Sequence, residues 1–199
     1  ASQAYSGKYF KVTDDIEVSG WNPIGSSSSA SFKGIFDGDG HTITINGIDP
    51  DYGQTVSTYY AGLFGYLKGS VYNVTVDGQI FSDKGYAYIG GIAGYYAADY
   101  SAVHIVNCVN LAEISLSGNY SYAGGIVGYV NSNYDYLYNC YNGGSFPASG
   151  NGSKSGGTAA YVNNGKFFYC INDGSVEGTK GANYGTQTEC YDLTAGGDF

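Results

Sequence analysis

The amino-acid sequence predicts an all-β solenoid, a single-stranded, right-handed parallel β-helix with coils of about 30 residues. Three observations carry this. A short apolar block bounded by glycines returns at a near-constant interval. No stretch shows the helical period of about 3.6 residues. The composition is that of strands and turns: 33 Gly and 23 Tyr in 199 residues, 17% aromatic, only 13% charged, and no Met.

The repeats come first. Gly62-Leu63-Phe64-Gly65-Tyr66 recurs as Gly91-Ile92-Ala93-Gly94-Tyr95, as Gly125-Ile126-Val127-Gly128-Tyr129, and, degenerate, as Gly157-Thr158-Ala159-Ala160-Tyr161. The tyrosines are 29, 34 and 32 residues apart (95−66, 129−95, 161−129). A second block follows each copy: Val71-Tyr72-Asn73-Val74, Ile105-Val106-Asn107-Cys108, Leu137-Tyr138-Asn139-Cys140, Phe167-Phe168-Tyr169-Cys170, and a shortened Glu189-Cys190. A third column follows at Ile80, Ile114, Phe146 and Val176. One such unit cannot bury its own apolar face, but stacked units can, with equivalent residues superposed at the inter-strand spacing of about 4.8 Å. Leu63, Ile92 and Ile126 are expected to point inward as one stack. Parallel crossovers favour the right-handed coil.

Residues 1–199 read as one β-helical domain, with opening coils over 1–50 and the repeats over 51–199. Phe10, Val12, Ile16 and Val18 alternate as strand positions do. Trp21 and Pro23 precede a serine-rich loop, and Ile35-Phe36 and Ile43/Ile45 flank Asp37-Gly38-Asp39-Gly40. The chain opens on Ala1 rather than a methionine, as expected of a processed or excised segment.

These motifs resemble those of the GLUG-motif repeat proteins of bacterial cell surfaces. The Gly-Leu-hydrophobic-Gly signature is Gly62-Leu63-Phe64-Gly65. The stretches Tyr5-Ser6-Gly7-Lys8, Asp15-Ile16, Trp21-Asn22-Pro23-Ile24-Gly25 and Phe32-Lys33-Gly34-Ile35-Phe36-Asp37-Gly38-Asp39-Gly40-His41 look similar too. The resemblance implies a secreted β-helical module, accessory rather than catalytic, within a larger bacterial protein.

Charge and motif content narrow the function. The net charge of −9 repels nucleic-acid phosphates and anionic membranes, so neither is an expected partner. No apolar run approaches the roughly 20 residues of a membrane span. Asp37-Gly38-Asp39-Gly40 begins like a calcium loop, but position 48 holds Ile where that loop needs its Glu. It reads as a tight turn, and no metal or cofactor is expected. His41 and His104 stand in different repeats, no nucleophile–histidine–carboxylate pattern is visible, and there is no Arg.

Cys108, Cys140, Cys170 and Cys190 share one column, which Val74 occupies in an earlier repeat. Side chains stacked in register sit about 4.8 Å apart at Cβ, wider than the roughly 3.8 Å of a disulfide. Stacked, buried thiols are expected instead. Asn73/Asn107/Asn139 and Asn110/Asn142/Asn172 read as ladders at coil corners.

Tyrosine is the most informative side chain. Tyr66, Tyr95, Tyr129 and Tyr161 lie an odd step after the inward positions, which places them outward as a strip. Tyr59, Tyr88 and Tyr122 read as a second column. Such a strip is either a stacked ladder that stabilises the coil or a binding surface for a glycan or protein. The expected function is a non-enzymatic extracellular adhesion or binding module at the bacterial cell surface. The alternatives are a subunit that self-associates through its solenoid ends into a filament, and a glycan-active β-helix enzyme.

Overall fold

The computed structural model describes residues 5–49, 52, 57–97, 104–132, 136–146, 150–175, 186–188 and 190–192. All 23 strands found there lie in four sheets, and every pairing between them is parallel. The chain is therefore a parallel β-solenoid, as its repeats predict. Val176 and Glu189 lie outside the described residues.

A full rung visits the four sheets in turn. In the first complete one, Tyr59–Ala61 lies in sheet D, Phe64–Leu67 in sheet C, Ser70–Tyr72 in sheet A and Thr75–Ser82 in sheet B. Val71, Ile105, Leu137 and Phe167 pair in file down sheet A, 34, 32 and 30 residues apart (105−71, 137−105, 167−137). Sheets A and B run seven and eight strands, whereas C and D have four each. The opening rungs, Tyr9–Lys11 with Ile16–Trp21 and Ile35–Asp37 with Thr42–Ile48, belong only to A and B.

The core is a set of columns. Leu63, Ile92 and Ile126 are fully buried, as are Val71, Ile105 and Leu137, and Ile80, Ile114 and Phe146. Between sheets A and B the chain turns sharply at Asn73, Asn107 and Asn139, each in the left-handed region with φ of 51–54°. Asn tolerates that conformation better than most residues. The same three side chains bond in series: Asn107 donates to Asn73 at 3.0 Å and Asn139 to Asn107 at 2.8 Å. A second ladder is buried: Asn110 donates to Asn142 at 2.8 Å and Asn142 to Asn172 at 2.6 Å. Each Asn of this ladder also donates to the carbonyl two residues on, satisfying an interior turn.

That inner ladder explains the first glycine of the repeat. A Cβ on Gly91, Gly125 or Gly157 would fall 2.1–2.4 Å from the side chain of Asn110, Asn142 or Asn172. The second glycine has another cause. A Cβ on Gly94 would meet the Tyr88 carbonyl at 2.4 Å, and one on Gly128 the Ile89 nitrogen at 2.6 Å. The glycines thus let sheet C lie directly on the backbone of sheet D.

Candidate interaction surface

Close contact of sheets C and D brings two files of tyrosine together. Tyr66, Tyr95, Tyr129 and Tyr161 pair in register along sheet C, and their rings stack with centroids 4.7, 5.1 and 4.7 Å apart. The second file is Tyr60, Tyr88 and Tyr122, stacked at 5.6 and 5.3 Å. Tyr59 is not part of it; it pairs with Ala87 and is buried, so the column begins one residue later than the sequence predicts. The two files interlock edge to face. Tyr88 meets Tyr95 at 5.5 Å and Tyr129 at 5.3 Å, with interplanar angles of 88° and 90°. Tyr122 meets Tyr129 and Tyr161 likewise, and Tyr60 meets Tyr66 and Tyr95.

This herringbone differs from an open aromatic strip. The sheet C file stands on the outer side of its strands, but the other file covers it. Tyr66 is only 9% exposed, and Tyr95, Tyr129 and Tyr161 are half-buried. Rings inside the array face other rings, so a ligand meets edges and hydroxyls. Burial raises the phenol pKa of Tyr60, Tyr88 and Tyr95 and pushes that of Tyr129 up to about 12. Asn163 donates to Asn131 at 2.9 Å, and Asn131 donates to the Tyr95 hydroxyl at 2.9 Å, so part of the hydroxyl edge is also engaged.

The outer face of sheet A is a different aromatic surface. Its inward positions are the core file Val71–Ile105–Leu137–Phe167, so the residues on either side of each point outward. Tyr136, Tyr138, Phe168 and His104 share this face. The rings are tilted rather than stacked: 50° between His104 and Tyr136, 32° between Tyr136 and Phe168, and 41° between Tyr138 and Phe168. Lys166 Nζ stands 5.3 Å over the Tyr136 ring. Tyr138 is 43% exposed, and Tyr169, at the adjoining corner, is about as exposed and meets Tyr138 edge-on at 5.3 Å. The repeat pattern does not by itself single out this face. Its signal was present in the residues flanking each core position, namely Tyr72, Tyr138 and Phe168 after Val71, Leu137 and Phe167.

The remaining predicted positions fall into structural roles. Cys108, Cys140 and Cys170 are buried in one column, Cys190 is half-buried, and no disulfide joins them. Their rungs are adjacent: Tyr141 N donates to Cys108 O, Ile171 N to Cys140 O, and Tyr191 N to Cys170 O. Burial holds the Cys140 thiol pKa high, and the hydrogen-bonded Cys140 sulfur raises that of Cys170. Both therefore stay protonated and unreactive at neutral pH.

The Asp37–Gly40 segment is a turn, with His41 N donating to Gly38 O at 2.9 Å and left-handed φ at Asp39 and Gly40. Its carboxylates are engaged. Asp37 accepts from the Tyr9 hydroxyl at 2.6 Å, from Asp39 N and from Asn73, and Asp39 pairs with Lys11 at 2.8 Å. His41 lies 3.2 Å from Asp15, which also accepts from Thr42 N, so this pair pins two neighbouring rungs. His104 lies elsewhere, on the sheet A face. Among the described residues no three His, Cys, Asp or Glu side chains gather as a metal site would require.

Comparison with known proteins shows the same architecture elsewhere. No protein family matches the chain, and no curated protein does. Among solved structures it is similar to one described as a "putative immunoglobulin A1 protease" from Bacteroides ovatus, with 26% identity and a TM-score of 0.65. The match covers 94% of this chain and 58% of the other, so the chain spans little more than half the length of the protein it resembles.

Proposed function

We propose that this chain is a non-catalytic binding module of a larger extracellular bacterial protein, one that engages a protein or glycan through the outer face of sheet A. The observation that carries the reading is the tilted set Tyr136, Tyr138 and Phe168 on the outer side of sheet A, with Tyr138 43% exposed and Lys166 beside it. Aromatic rings on a rigid backbone lose little freedom on binding. They offer both apolar faces and hydroxyls. The solenoid supplies the rigidity, because hydrogen bonds to the rungs above and below fix each interior strand.

The GLUG-like motifs and the likeness to the Bacteroides ovatus protein support a surface context. If the larger protein acts on immunoglobulin A1, this module's part is to hold the substrate or the cell surface rather than to cut. The Tyr66–Tyr95–Tyr129–Tyr161 file then serves mainly as the rigid spine, with its exposed hydroxyl edge as a secondary contact.

Immobilised immunoglobulin A1 and a panel of bacterial and host polysaccharides, probed with the purified chain, test this. Saturable binding to at least one of them is expected. The paired change Tyr138→Ser with Phe168→Ser should weaken it at least tenfold while leaving the β-type circular dichroism unchanged. Binding that ignores this double change, or no binding to any member of the panel, overturns the reading.

A further inference from the structure

Some corners of the solenoid hold tyrosine where the backbone is strained. Among the described residues other than glycine, eight take a left-handed φ, and five of them are Asn or Asp, which tolerate it. The other three are Tyr86, Tyr120 and Tyr169, with φ of 56°, 55° and 54°. All three are exposed, at 61%, 55% and 42%. Tyr169 borders the sheet A face. Tyr86 and Tyr120 stand apart from it, in successive rungs, on the turns that lead from sheet B to sheet D. Backbone bonds pin them: Tyr86 N donates to Asn119 O at 2.9 Å and Tyr120 N to Asn151 O at 3.0 Å. Their rings stack, with centroids 5.7 Å and planes 20° apart. In the next rung the equivalent position is Gly152, also left-handed with φ of 70°. A Cβ there would lie 2.9 Å from the Tyr120 ring. Tyr120 thus lies between Tyr86 and Gly152, while Tyr86 meets no second ring among the described residues.

We propose that Tyr86, backed by Tyr120, is a binding platform for a neutral glycan and takes the C–H face of an equatorially substituted pyranose ring. Two left-handed tyrosines destabilise the fold by more than one stacked pair of exposed rings returns, and Gly152 shows the unstrained choice at the same position. Strain kept at exposed side chains marks a place where the rings serve something other than folding. The pair has what a sugar requires. The electron-rich face of an aromatic ring attracts the polarised C–H bonds of a pyranose. The exposed amides of Asn119 and Asn151 border the rings and match sugar hydroxyls as donors and acceptors. In the turn that carries Tyr86, Asp83 pairs with Lys84 at 3.9 Å, so the local charge is balanced, which favours a neutral sugar over an acidic one. The pinned backbone holds the platform in place, so little freedom is lost on binding. The inference is independent of the sheet A binding surface.

Isothermal titration calorimetry of the purified chain with cellohexaose and with N-acetylchitohexaose tests this, since both are β-linked with equatorial ring substituents. Saturable binding of at least one is expected. Tyr86→Gly with Tyr120→Gly should weaken it at least tenfold and leave the melting temperature unchanged or higher, because glycine relieves the left-handed strain. Tyr86→Asn with Tyr120→Asn is the alternative should the glycine pair not fold. Tyr138→Ser with Phe168→Ser should leave this binding intact, so that failure here and failure of the sheet A surface are told apart. Binding of neither sugar up to its solubility limit overturns the proposal, and so does binding that survives the loss of both rings or that falls with the sheet A pair. A melting temperature lowered by several degrees in the glycine variant would make the two rings a structural ladder instead. A dimer of the chain alone that the glycine variant abolishes would make a second copy the occupant.

Discussion

The tyrosine seam between sheets C and D and the aromatic face of sheet A use the same side chains for opposite ends. In the seam, seven rings interlock at angles near 90° across the files and near parallel within them, and the array is half-buried. On sheet A the rings are tilted by 32–50° and Tyr138 faces solvent. The cause is what lies opposite. Sheet C has a second layer against it, held close by Gly94 and Gly128, while the outer side of sheet A has none among the described residues. A column of aromatic residues is therefore not in itself a binding strip. It becomes one only where no second file takes up the rings.

The sharpest test of that contrast is to empty the seam. Tyr95→Ala with Tyr129→Ala removes two interlocked rings. Fully buried aromatics cost about 3–5 kcal/mol each on truncation, so two half-buried ones should cost roughly that much together. For a domain of this size the melting temperature should fall by about 10 °C or more. The matched pair Tyr136→Ala with Tyr138→Ala on sheet A should lower it by only a few degrees. Equal losses would erase the distinction.

Gly128→Ala probes the same seam from behind. Its Cβ would strike the Ile89 nitrogen at 2.6 Å and the Gly94 carbonyl at 2.7 Å and push sheets C and D apart. Overpacking of this kind costs about 1–3 kcal/mol, readable by chemical denaturation.

Alkali should distinguish the two regions next. Burial raises the phenol pKa of Tyr60, Tyr88 and Tyr95, and that of Tyr129 to about 12, against 10.0 for an unperturbed tyrosine. A group whose pKa is higher in the folded protein stabilises it fully below the unfolded value. That contribution is lost as pH rises toward the folded value. Stability should thus decline between about pH 10 and 12, and ultraviolet titration should show a late-ionising group of tyrosines. Tyr95→Phe with Tyr129→Phe should reduce that late group. If all tyrosines ionise together near pH 10, the seam is open to water.

The smallest stability effect belongs to Tyr138→Ser. An exposed ring on the sheet A face should cost at most about 0.5 kcal/mol, the usual range for surface substitutions. A larger loss, measured in urea, would mean that this face is structural too.

Much of the fold was legible in the sequence because a solenoid repeats one environment. Residues at equal positions in successive rungs meet the same neighbours, so Val71, Ile105, Leu137 and Phe167 could be read as a column before any pairing was known. The same logic found the Asn ladders and the cysteine file, and it gave the sheet C tyrosines their order. It failed by one residue at Tyr59. The sheet D strand joins sheet C through a two-residue corner, and alternation does not say on which residue the strand begins.

Periodicity along the axis is thus what the sequence determined by itself: the parallel stacking, the columns and the turns at Asn and Gly. It carries no information about what crosses the axis. Only the tertiary structure decided that sheet D folds onto sheet C and interlocks two files of tyrosine, and that the outer face of sheet A leaves Tyr138 exposed. The physical reason is that register is set by hydrogen bonds between equivalent residues. Opposition between faces is set by corner angles and by contacts between residues that share no repeat position.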